Sequence, residues 1–287
     1  MTAALSATDL KLQFIQLPQL RMGYVEAGDP TGQPVLLLHG FPEFWYSWRF
    51  QLAALAQAGF RAIAPDQRGY NRTDKTPPYD IDTVTQDIAD LQAALGIARS
   101  HVIGHDWGGA VLWAFASRFP DRIDKLVGMN APHWTAYNDC LRRSLRQLLK
   151  SYYILLFQFR SAGRQIERND FRVLERAFAG VRHMTAEDIE RYKDAFRQPG
   201  AVEAALGWYR AAFARMRRNR LCAETYRSNA PALQIWGERD RALEKGVNAT
   251  LPQYVPRVRF AWLPSASHWV QMDEPVEVNR LMLEFLR

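Results

Sequence analysis

A nine-residue segment, 101–109, reads His-Val-Ile-Gly-His-Asp-Trp-Gly-Gly and restricts the fold more than any other part of the chain. Its first half is an apolar strand pattern that ends at Gly104, and a helical pattern begins at Gly109. Asp106 lies midway between Gly104 and Gly108, two residues from each. Small residues on both sides of a single position allow a strand and a helix to pack closely around a sharp turn. The segment therefore predicts that Asp106 is held in a strained backbone at the end of a buried strand.

Strand and helix patterns alternate on both sides of this turn. Short apolar runs bounded by turn residues predict strands, and longer stretches with apolar residues at helical spacing predict helices. Such alternation is typical of a mostly parallel α/β sheet. The predicted strands are Lys11–Leu17, Arg21–Gly28, Val35–Leu38, Arg61–Pro65, His101–Gly104, Lys125–Met129, Ala232–Trp236 and Val258–Leu263, and the predicted helices are Ser47–Gln57, Thr83–Leu95, Gly109–Arg118 and Pro275–Leu286.

The alternation stops between residues 134 and 222, where the sequence has helical patterns only. We therefore expect an α/β core formed by residues 1–133 and 223–287, with an all-helical domain inserted at 134–222. The predicted helices of the insertion are Tyr137–Phe159, Gln165–Phe178, Ala186–Phe196 and Val202–Arg217.

The insertion also carries the charge excess of the chain. The whole sequence has 37 Lys and Arg residues against 30 Asp and Glu, a formal charge of +7. Residues 134–222 hold 18 of the basic and 9 of the acidic residues, which leaves 19 and 21 for the slightly acidic remainder. A basic balance can indicate a nucleic-acid partner. The densest basic run, 217–220, has no interleaved aromatic residues, so we expect no nucleic acid and a solvated outer surface for the arginines of the insertion. An acidic partner or an anionic membrane surface for these arginines is the alternative that the sequence leaves open.

The chain has two cysteines, Cys140 and Cys222. Two thiols are too few for a disulfide scaffold, and their spacing is not that of a metal site. We therefore expect a reducing compartment and a cytoplasmic protein. Residues 1–10 lack the order of a secretion signal, and no apolar run approaches the length of a transmembrane helix.

An aspartate at the turn determines the chemistry that we expect. A carboxylate is ionised at neutral pH without a base, and it can open an epoxide or displace a halide at an sp³ carbon to form an alkyl–enzyme ester. Hydrolysis of that ester needs a histidine that activates water and an acid that orients the histidine. The structural alternative is that Asp106 only caps the helix that follows it.

Two residues in the last fifth of the chain complete this set. His268 follows the last predicted strand, and Asp240 follows the strand Ala232–Trp236. The carboxyl ends of parallel strands meet at one edge of a sheet, where open α/β folds place their sites. We predict that His268 activates water and that Asp240 orients it. Glu238 is the alternative acid. It lies two residues before Asp240, and on an extended turn we expect this offset to point its side chain away from His268.

Five short motifs are spread over the predicted core: His39–Glu43, Asp66–Tyr70, Gly104–Gly109, Asn130–His133 and His268–Asp273. Together they resemble the α/β-hydrolase-fold epoxide hydrolases, the branch with an aspartate nucleophile that haloalkane dehalogenases share. The likeness covers the core on both sides of the insertion, and therefore most of the chain. It implies an α/β-hydrolase fold with a mostly parallel central sheet flanked by helices, and an inserted all-helical cap.

The resemblance implies further site residues. The backbone amides of Phe41 and Trp107 would form an oxyanion hole for ester hydrolysis. Tyr209 and Tyr153, with Tyr152 as the register alternative, resemble the two cap tyrosines that hydrogen-bond the epoxide oxygen. The structural alternative is that these tyrosines are ordinary core aromatics. The residues expected to contact the substrate are Trp107, Trp208 and Phe157.

These residues predict an enzyme that converts an apolar epoxide and water to a vicinal diol, with no metal or organic cofactor. A haloalkane dehalogenase would use the same three residues, Asp106, His268 and Asp240. That enzyme type needs a second halide donor where this chain has Phe41, which has no side-chain donor. A serine esterase is disfavoured, because the turn has no Ser or Cys. A non-catalytic ligand-binding protein on this fold is the alternative of another class, and a monomer and a homodimer are both compatible with the sequence.

Overall fold

The computed structural model describes residues 10–218 and 226–287. Cys222, the predicted cap boundary between residues 222 and 223, most of the amino-terminal segment 1–10 and the end of the basic run 217–220 therefore lie outside the described residues. Cys140 is described, and it is a buried free thiol.

A central sheet of eight strands organises the described residues, in the order β1-β2-β4-β3-β5-β6-β7-β8. β1 and β2 pair antiparallel with each other, β2 pairs antiparallel with β4, and the pairs from β4 to β8 are parallel. Strands β5 and β7 are buried along their whole length, as expected where helices cover both faces of a parallel sheet. The strands are β1 Gln13–Gln16, β2 Arg21–Gly28, β3 Pro34–Leu38, β4 Arg61–Pro65, β5 Ser100–His105, β6 Ile123–Met129, β7 Ala232–Gly237 and β8 Val258–Leu263.

Twelve α-helices lie in the described ranges, and six of them follow β6 and precede β7. The mostly parallel sheet and its flanking helices confirm the predicted fold class. The helices are α1 Arg49–Gln57, α2 Ile81–Ala94, α3 Trp107–Arg118, α4 Trp134–Arg143, α5 Leu145–Lys150, α6 Tyr152–Leu156, α7 Ala162–Ala177, α8 Ala186–Arg197, α9 Ala201–Arg218, α10 Leu251–Tyr254, α11 Val270–Asp273 and α12 Pro275–Leu286.

The first helix of the insertion is not continuous, so the prediction of one helix over Tyr137–Phe159 is wrong. The segment forms α4, α5 and α6. Ser144 takes an extended backbone (φ −120°, ψ 108°), and its hydroxyl accepts from the amide of Gln147 at 3.1 Å, which ends α4 and caps α5. A serine side chain that bonds to the backbone in this way competes with continuous helix.

The second predicted helix, Gln165–Phe178, is also interrupted. Arg168 has an extended backbone, and Asn169, Asp170 and Phe171 have positive φ angles of 52° to 57°. Residues with positive φ cannot continue a right-handed helix, so α7 consists of two helical halves that meet at a kink.

The insertion packs on the carboxyl end of the sheet through aromatic side chains. Trp208 of α9 is buried, its ring meets that of Tyr70 at 5.6 Å, and its indole N–H donates to the carbonyl of Arg68 at 3.1 Å. Phe196 of α8 and Ile166 of α7 belong to the same buried cluster as the sheet residues beneath them. This shared core fixes the inserted helices over the strand ends. We refer to α4–α9 as the cap, and its status as a separate domain stays a prediction.

Candidate active site

The backbone at Asp106 is strained, as predicted. β5 ends at His105, α3 begins at Trp107, and Asp106 between them has φ 50° and ψ −117°. A Cβ atom on Gly108 would lie 1.9 Å from the carbonyl oxygen of Leu38, so only glycine fits there. The Asp106 side chain does not hydrogen-bond the first turn of α3, so the helix-capping alternative is wrong.

The Asp106 carboxylate meets two different groups with its two oxygens. Oδ1 accepts a hydrogen bond from the backbone N–H of Phe41 at 2.9 Å, and Oδ2 lies 3.5 Å from Nε2 of His268. The Phe41–Pro42 peptide bond is cis. Burial alone would raise the pKa of Asp106, but the hydrogen bond and charge of His268 lower it below its ordinary value. The carboxylate is therefore ionised, and the second predicted oxyanion amide, that of Trp107, stays a prediction.

Asp240 anchors the other side of the His268 ring. Its Oδ2 accepts from Nδ1 of His268 at 2.7 Å and from the Asn130 side chain at 2.7 Å. Its Oδ1 accepts from the amides of Ala242 and Leu243 at 2.7 and 2.8 Å. Burial tends to raise the pKa of Asp240, and the charge of His268 overcomes this and lowers it. A carboxylate with four donors can hold the imidazole in one orientation.

The alternative acid, Glu238, points away from this relay. Its carboxylate pairs with Lys245 at the surface.

Burial alone would lower the pKa of His268, but the charge of Asp240 and the hydrogen bond to Asp106 raise it well above its ordinary value. The described geometry thus connects Asp106, His268 and Asp240 in one chain of contacts.

A buried polar network behind His268 was not predicted from the sequence. The Glu43 carboxylate is fully buried and accepts from Nδ1 of His105 at 2.6 Å, from the amide of Gly40 at 2.7 Å and from the Gln271 side chain at 2.8 Å. Nε2 of His105 donates to the carbonyl oxygen of His268 at 2.8 Å. Burial acts to raise the pKa of Glu43, and His105 holds it below its ordinary value. The available signal in the sequence was a glutamate directly after Pro42. That pattern does not indicate a buried carboxylate until the fold shows which residues surround it.

The cap closes a cavity over Asp106. Tyr153 of α6 and Tyr209 of α9 both line it, and their ring centroids are 6.0 Å apart. Tyr152 has 62 % of its surface exposed, so the structure places Tyr153 and not its neighbour at the cavity. Burial raises the pKa of both cavity tyrosines well above the ordinary value, which keeps the phenols neutral. The remaining lining residues are Trp107, Ala110, Pro132, Trp134, Tyr137, Ile154, Ala212, Met216 and Leu243.

The three predicted substrate contacts have different positions. Trp107 lines the cavity. Phe157 packs behind the lining, with its ring 4.9 Å from that of Tyr209 and 5.7 Å from that of Phe41. Trp208 lines an adjacent small pocket that it shares with Trp107. In the described residues, therefore, Phe157 and Trp208 support the lining side chains and do not form the wall that contains Asp106.

No group of three or more His, Cys, Asp or Glu side chains in the ranges 10–218 and 226–287 is arranged to hold a metal ion. The polar atoms around Asp106 are instead bonded to one another, as the hydrogen bonds above describe.

Comparisons with known proteins agree with the fold. The family model described as alpha/beta hydrolase fold matches residues 33–275. The AB hydrolase superfamily protein YfhM of Bacillus subtilis is 38% identical over 285 residues, which cover 97% of this chain and 98% of that protein. Human epoxide hydrolase 4 is 37% identical, over 93% of this chain and 76% of its own length. The crystal structure of an epoxide hydrolase from Bacillus megaterium with an inhibitor has a TM-score of 0.88 at 30% identity, and the match covers 96% of this chain and 99% of that one.

Proposed function

The chain belongs to the epoxide hydrolase family of the α/β-hydrolase fold, and from that premise we propose that it hydrolyses an apolar epoxide to a vicinal diol. One observation carries the proposal. The ionised carboxylate of Asp106 and the neutral phenols of Tyr153 and Tyr209 line the same largely apolar cavity, while His268 approaches Asp106 from another side. A nucleophile and two proton donors that face one space fit the opening of a strained ether.

In the first step, Oδ2 of Asp106 attacks a carbon of the epoxide. Oδ1 is already engaged with the Phe41 amide, which leaves Oδ2 as the attacking oxygen. The new C–O bond forms as the epoxide C–O bond breaks, and its electron pair moves to the departing oxygen. We assign the attack to the less hindered carbon, as expected for displacement at an sp³ centre.

The departing oxygen needs a proton. Tyr153 and Tyr209 each present a phenol whose raised pKa keeps it protonated at neutral pH. A neutral phenol donates a hydrogen bond to the developing alkoxide and then transfers its proton. The product of this step is an ester of Asp106 that carries a free hydroxyl on the neighbouring carbon.

The second step hydrolyses that ester. Nε2 of His268 takes a proton from water, and the hydroxide attacks the carboxyl carbon of Asp106. The negative charge develops on Oδ1, which the Phe41 amide already binds, and we assign the Trp107 amide as the second donor. Collapse of the tetrahedral intermediate breaks the ester C–O bond, and the departing diol oxygen takes the proton that water gave to His268. The new carboxyl group of Asp106 loses its proton to the phenolate left by the first step, which restores the ionised carboxylate, the neutral imidazole and the neutral phenol and releases the diol.

The charge of Asp106 couples the two steps. The hydrogen bond and charge of Asp106 contribute to the raised pKa of His268, after the charge of Asp240. Alkylation converts the Asp106 carboxylate to a neutral ester and removes that contribution. The pKa of His268 therefore falls once the ester has formed, and the imidazole becomes a better base when the reaction needs one.

A haloalkane dehalogenase is the competing function for the same three residues. Trp107 could bind a halide through its indole N–H, but Phe41 offers no side-chain donor as a partner. The paired tyrosines have a role in epoxide opening that halide displacement does not need.

Trapping of the intermediate tests the proposal. We expect His268→Gln to accumulate an ester of Asp106 when it is incubated with styrene oxide, because alkylation proceeds and hydrolysis does not. Mass spectrometry of the active-site peptide measures the adduct, and the double variant Asp106→Asn/His268→Gln is the matched control without a nucleophile. A parallel incubation with 1-bromobutane separates the two functions. An adduct with the bromoalkane alone would identify a dehalogenase, and no adduct with any of a broad panel of epoxides would overturn the proposal.

A further inference from the structure

The cap carries a stripe of exposed apolar side chains that the hydrolytic site does not use. Of the ten large apolar residues that are exposed in the described ranges, seven lie between residues 145 and 159. The spacing of the first six, i, i+3, i+4, i+7, i+10 and i+11, places them on one face of α5 and α6, and the seventh follows the end of α6. This outer stripe consists of Leu145, Leu148, Leu149, Tyr152, Leu155, Leu156 and Phe159, with exposed fractions from 46 to 79 %.

The opposite face of the same helices is fixed to the core by polar groups. The Gln147 side chain donates to the carbonyl of Ala242 at 3.0 Å, and the ammonium of Lys150 donates to the carbonyl of Asp240 at 2.7 Å. Ile154 lines the cavity over Asp106. These contacts determine which face of α5 and α6 points toward the core. The leucines on the opposite face are therefore exposed to solvent because of the fold, and not because the helices pack loosely.

The segment of the chain that carries the outer stripe has charges of one sign. Residues 140–166 contain no Asp or Glu. Five exposed arginines of this segment, Arg142, Arg143, Arg146, Arg160 and Arg164, form no ion pair with any carboxylate in the part of the chain that the structure describes. Three other arginines of the cap do form ion pairs: Arg191 pairs with Glu187, Arg197 with Asp170, and Arg210 with Glu203.

A groove beside the stripe extends the positive surface. Tyr152 of the stripe also lines this groove, together with Arg176, Arg239 and Arg241, and the groove reaches His268. Arg239 and Arg241 are exposed. Positive charge therefore continues from the stripe along the junction of cap and core.

We propose that the outer stripe and its arginines dock the cap onto an anionic lipid bilayer. An exposed apolar helix face flanked by arginines inserts its apolar side chains at the headgroup level, while the guanidinium groups meet lipid phosphates. The attachment is peripheral, because no helix in the described residues is long and apolar enough to cross a membrane.

The charge pattern disfavours a second copy of the chain as the occupant. A twofold interface brings the same surface patch of both subunits together. Pairing through the outer stripe would place five unpaired arginines against five others, with no carboxylate within residues 140–166 to neutralise them. A bilayer with anionic headgroups supplies the missing negative charge.

Docking would also deliver substrate, a consequence that rests on the proposed function. Helix α6 presents Tyr153 and Ile154 to the cavity and Tyr152 and Leu155 to the outside. One helix therefore separates the cavity from the docked lipid, in which an apolar epoxide concentrates. Lipid binding itself does not depend on which bond the enzyme cleaves.

Vesicle flotation tests the docking. The full chain is mixed with vesicles of pure phosphatidylcholine, or of equal parts phosphatidylcholine and phosphatidylglycerol, at low and high salt. We expect flotation with the anionic vesicles and its loss at high salt, because salt screens the arginines. Leu148→Gln/Leu149→Gln and, separately, Arg142→Gln/Arg146→Gln should each lower the partition coefficient at least about tenfold.

Two matched controls remove the same kinds of group elsewhere. Val173→Gln/Val276→Gln replaces two exposed apolar residues outside the stripe, and Lys11→Gln/Arg259→Gln removes two exposed cations outside the cap. Both should float like the unmodified chain. Equal loss in the controls, or no flotation of the unmodified chain, would overturn the proposal. So would sedimentation showing a dimer that the leucine variant dissociates while flotation is unchanged. Epoxide turnover in solution, measured in parallel, reports on the proposed function separately.

Discussion

The core and the cap both contribute to the site, but they hold their side chains by different forces. Asp106, His268 and Asp240 lie at strand ends of the core, and each is fixed by hydrogen bonds to neighbouring amides or side chains. Tyr153 and Tyr209 of the cap are held by edge-to-face aromatic packing. Hydrogen bonds define orientation closely, whereas apolar packing defines shape. In the proposed mechanism the core therefore supplies the nucleophile and the base in fixed orientations, and the cap supplies the proton donors and the shape of the cavity.

The largest effect is expected in the core. Asp106→Asn removes the nucleophile, so epoxide turnover should fall by roughly four orders of magnitude. Steady-state diol formation measures the loss, and intact mass must confirm the substitution because amides in such sites can hydrolyse back to the acid. Turnover within about tenfold of the unmodified enzyme in a sample of verified mass would remove Asp106 from the mechanism.

The corresponding change in the cap separates the two steps. Tyr209→Phe keeps the ring packing and removes one proton donor, so the alkylation rate should fall by roughly 10²-fold to 10⁴-fold. Hydrolysis of a preformed ester should be unaffected, because that step uses core residues only. Single-turnover kinetics resolves the two rates.

Tyr152→Phe is the matched control for the cap tyrosine, since Tyr152 is exposed and faces away from the cavity. It should leave both rates unchanged. If alkylation by Tyr209→Phe matched that of this control, the phenol of Tyr209 would have no role as donor.

A substitution at the buried Glu43 tests how much hydrogen bonds contribute to the stability of the core. Glu43→Gln introduces a donor where Gln271 already donates, so we expect a loss of about 3 kcal/mol in the free energy of unfolding. The folded pKa of Glu43 is lowered, so its stabilisation is present above the unfolded pKa and is lost as pH falls through the folded pKa. The difference in the free energy of unfolding between the unmodified protein and Glu43→Gln should therefore become smaller at acidic pH.

Denaturant unfolding at neutral and acidic pH measures this effect. Glu238→Gln is the control, because Glu238 pairs with Lys245 at the surface and should change stability by at most about 1 kcal/mol. It should also leave turnover intact, since Asp240 and not Glu238 contacts His268. A Glu43→Gln protein as stable as the control at neutral pH would show that the buried network is dispensable.

The smallest effect is expected on the outer face of the cap. Leu149 is 74 % exposed, so Leu149→Gln should change the free energy of unfolding by no more than about 0.5 kcal/mol. The same substitution at the buried Leu206 of α9 should cost several kcal/mol, because it places an amide in the packed core. Similar losses at both positions would mean that Leu149 is covered in solution.

The core site was predictable because its signals are local. A glycine two residues before and another two residues after Asp106, and a polar residue after each of two strands, indicate the edge where parallel strands end. Glu43 was not predictable in the same way. Its partners His105 and Gln271 are 62 and 228 residues away, and only the packed fold brings them together.

The cap shows where sequence patterns fail. Apolar periodicity identifies one face of a helix but not whether that face is covered. In α5 and α6 the leucines face outward, because Gln147 and Lys150 bind carbonyl groups of the loop 240–243 and turn the polar face inward. The same orientation of α6 determines that Tyr153 lines the cavity and that Tyr152 is exposed.

The sequence by itself determined the parallel sheet, the turn at Asp106, the positions of His268 and Asp240 and the helical character of the insertion. These depend on backbone propensity and on strand ends, which neighbouring residues encode. The tertiary structure alone decided which tyrosine faces the cavity, which carboxylate is buried behind the histidine and which leucines lie in solvent. Those outcomes depend on hydrogen bonds and contacts between residues far apart in the chain, which no local pattern records.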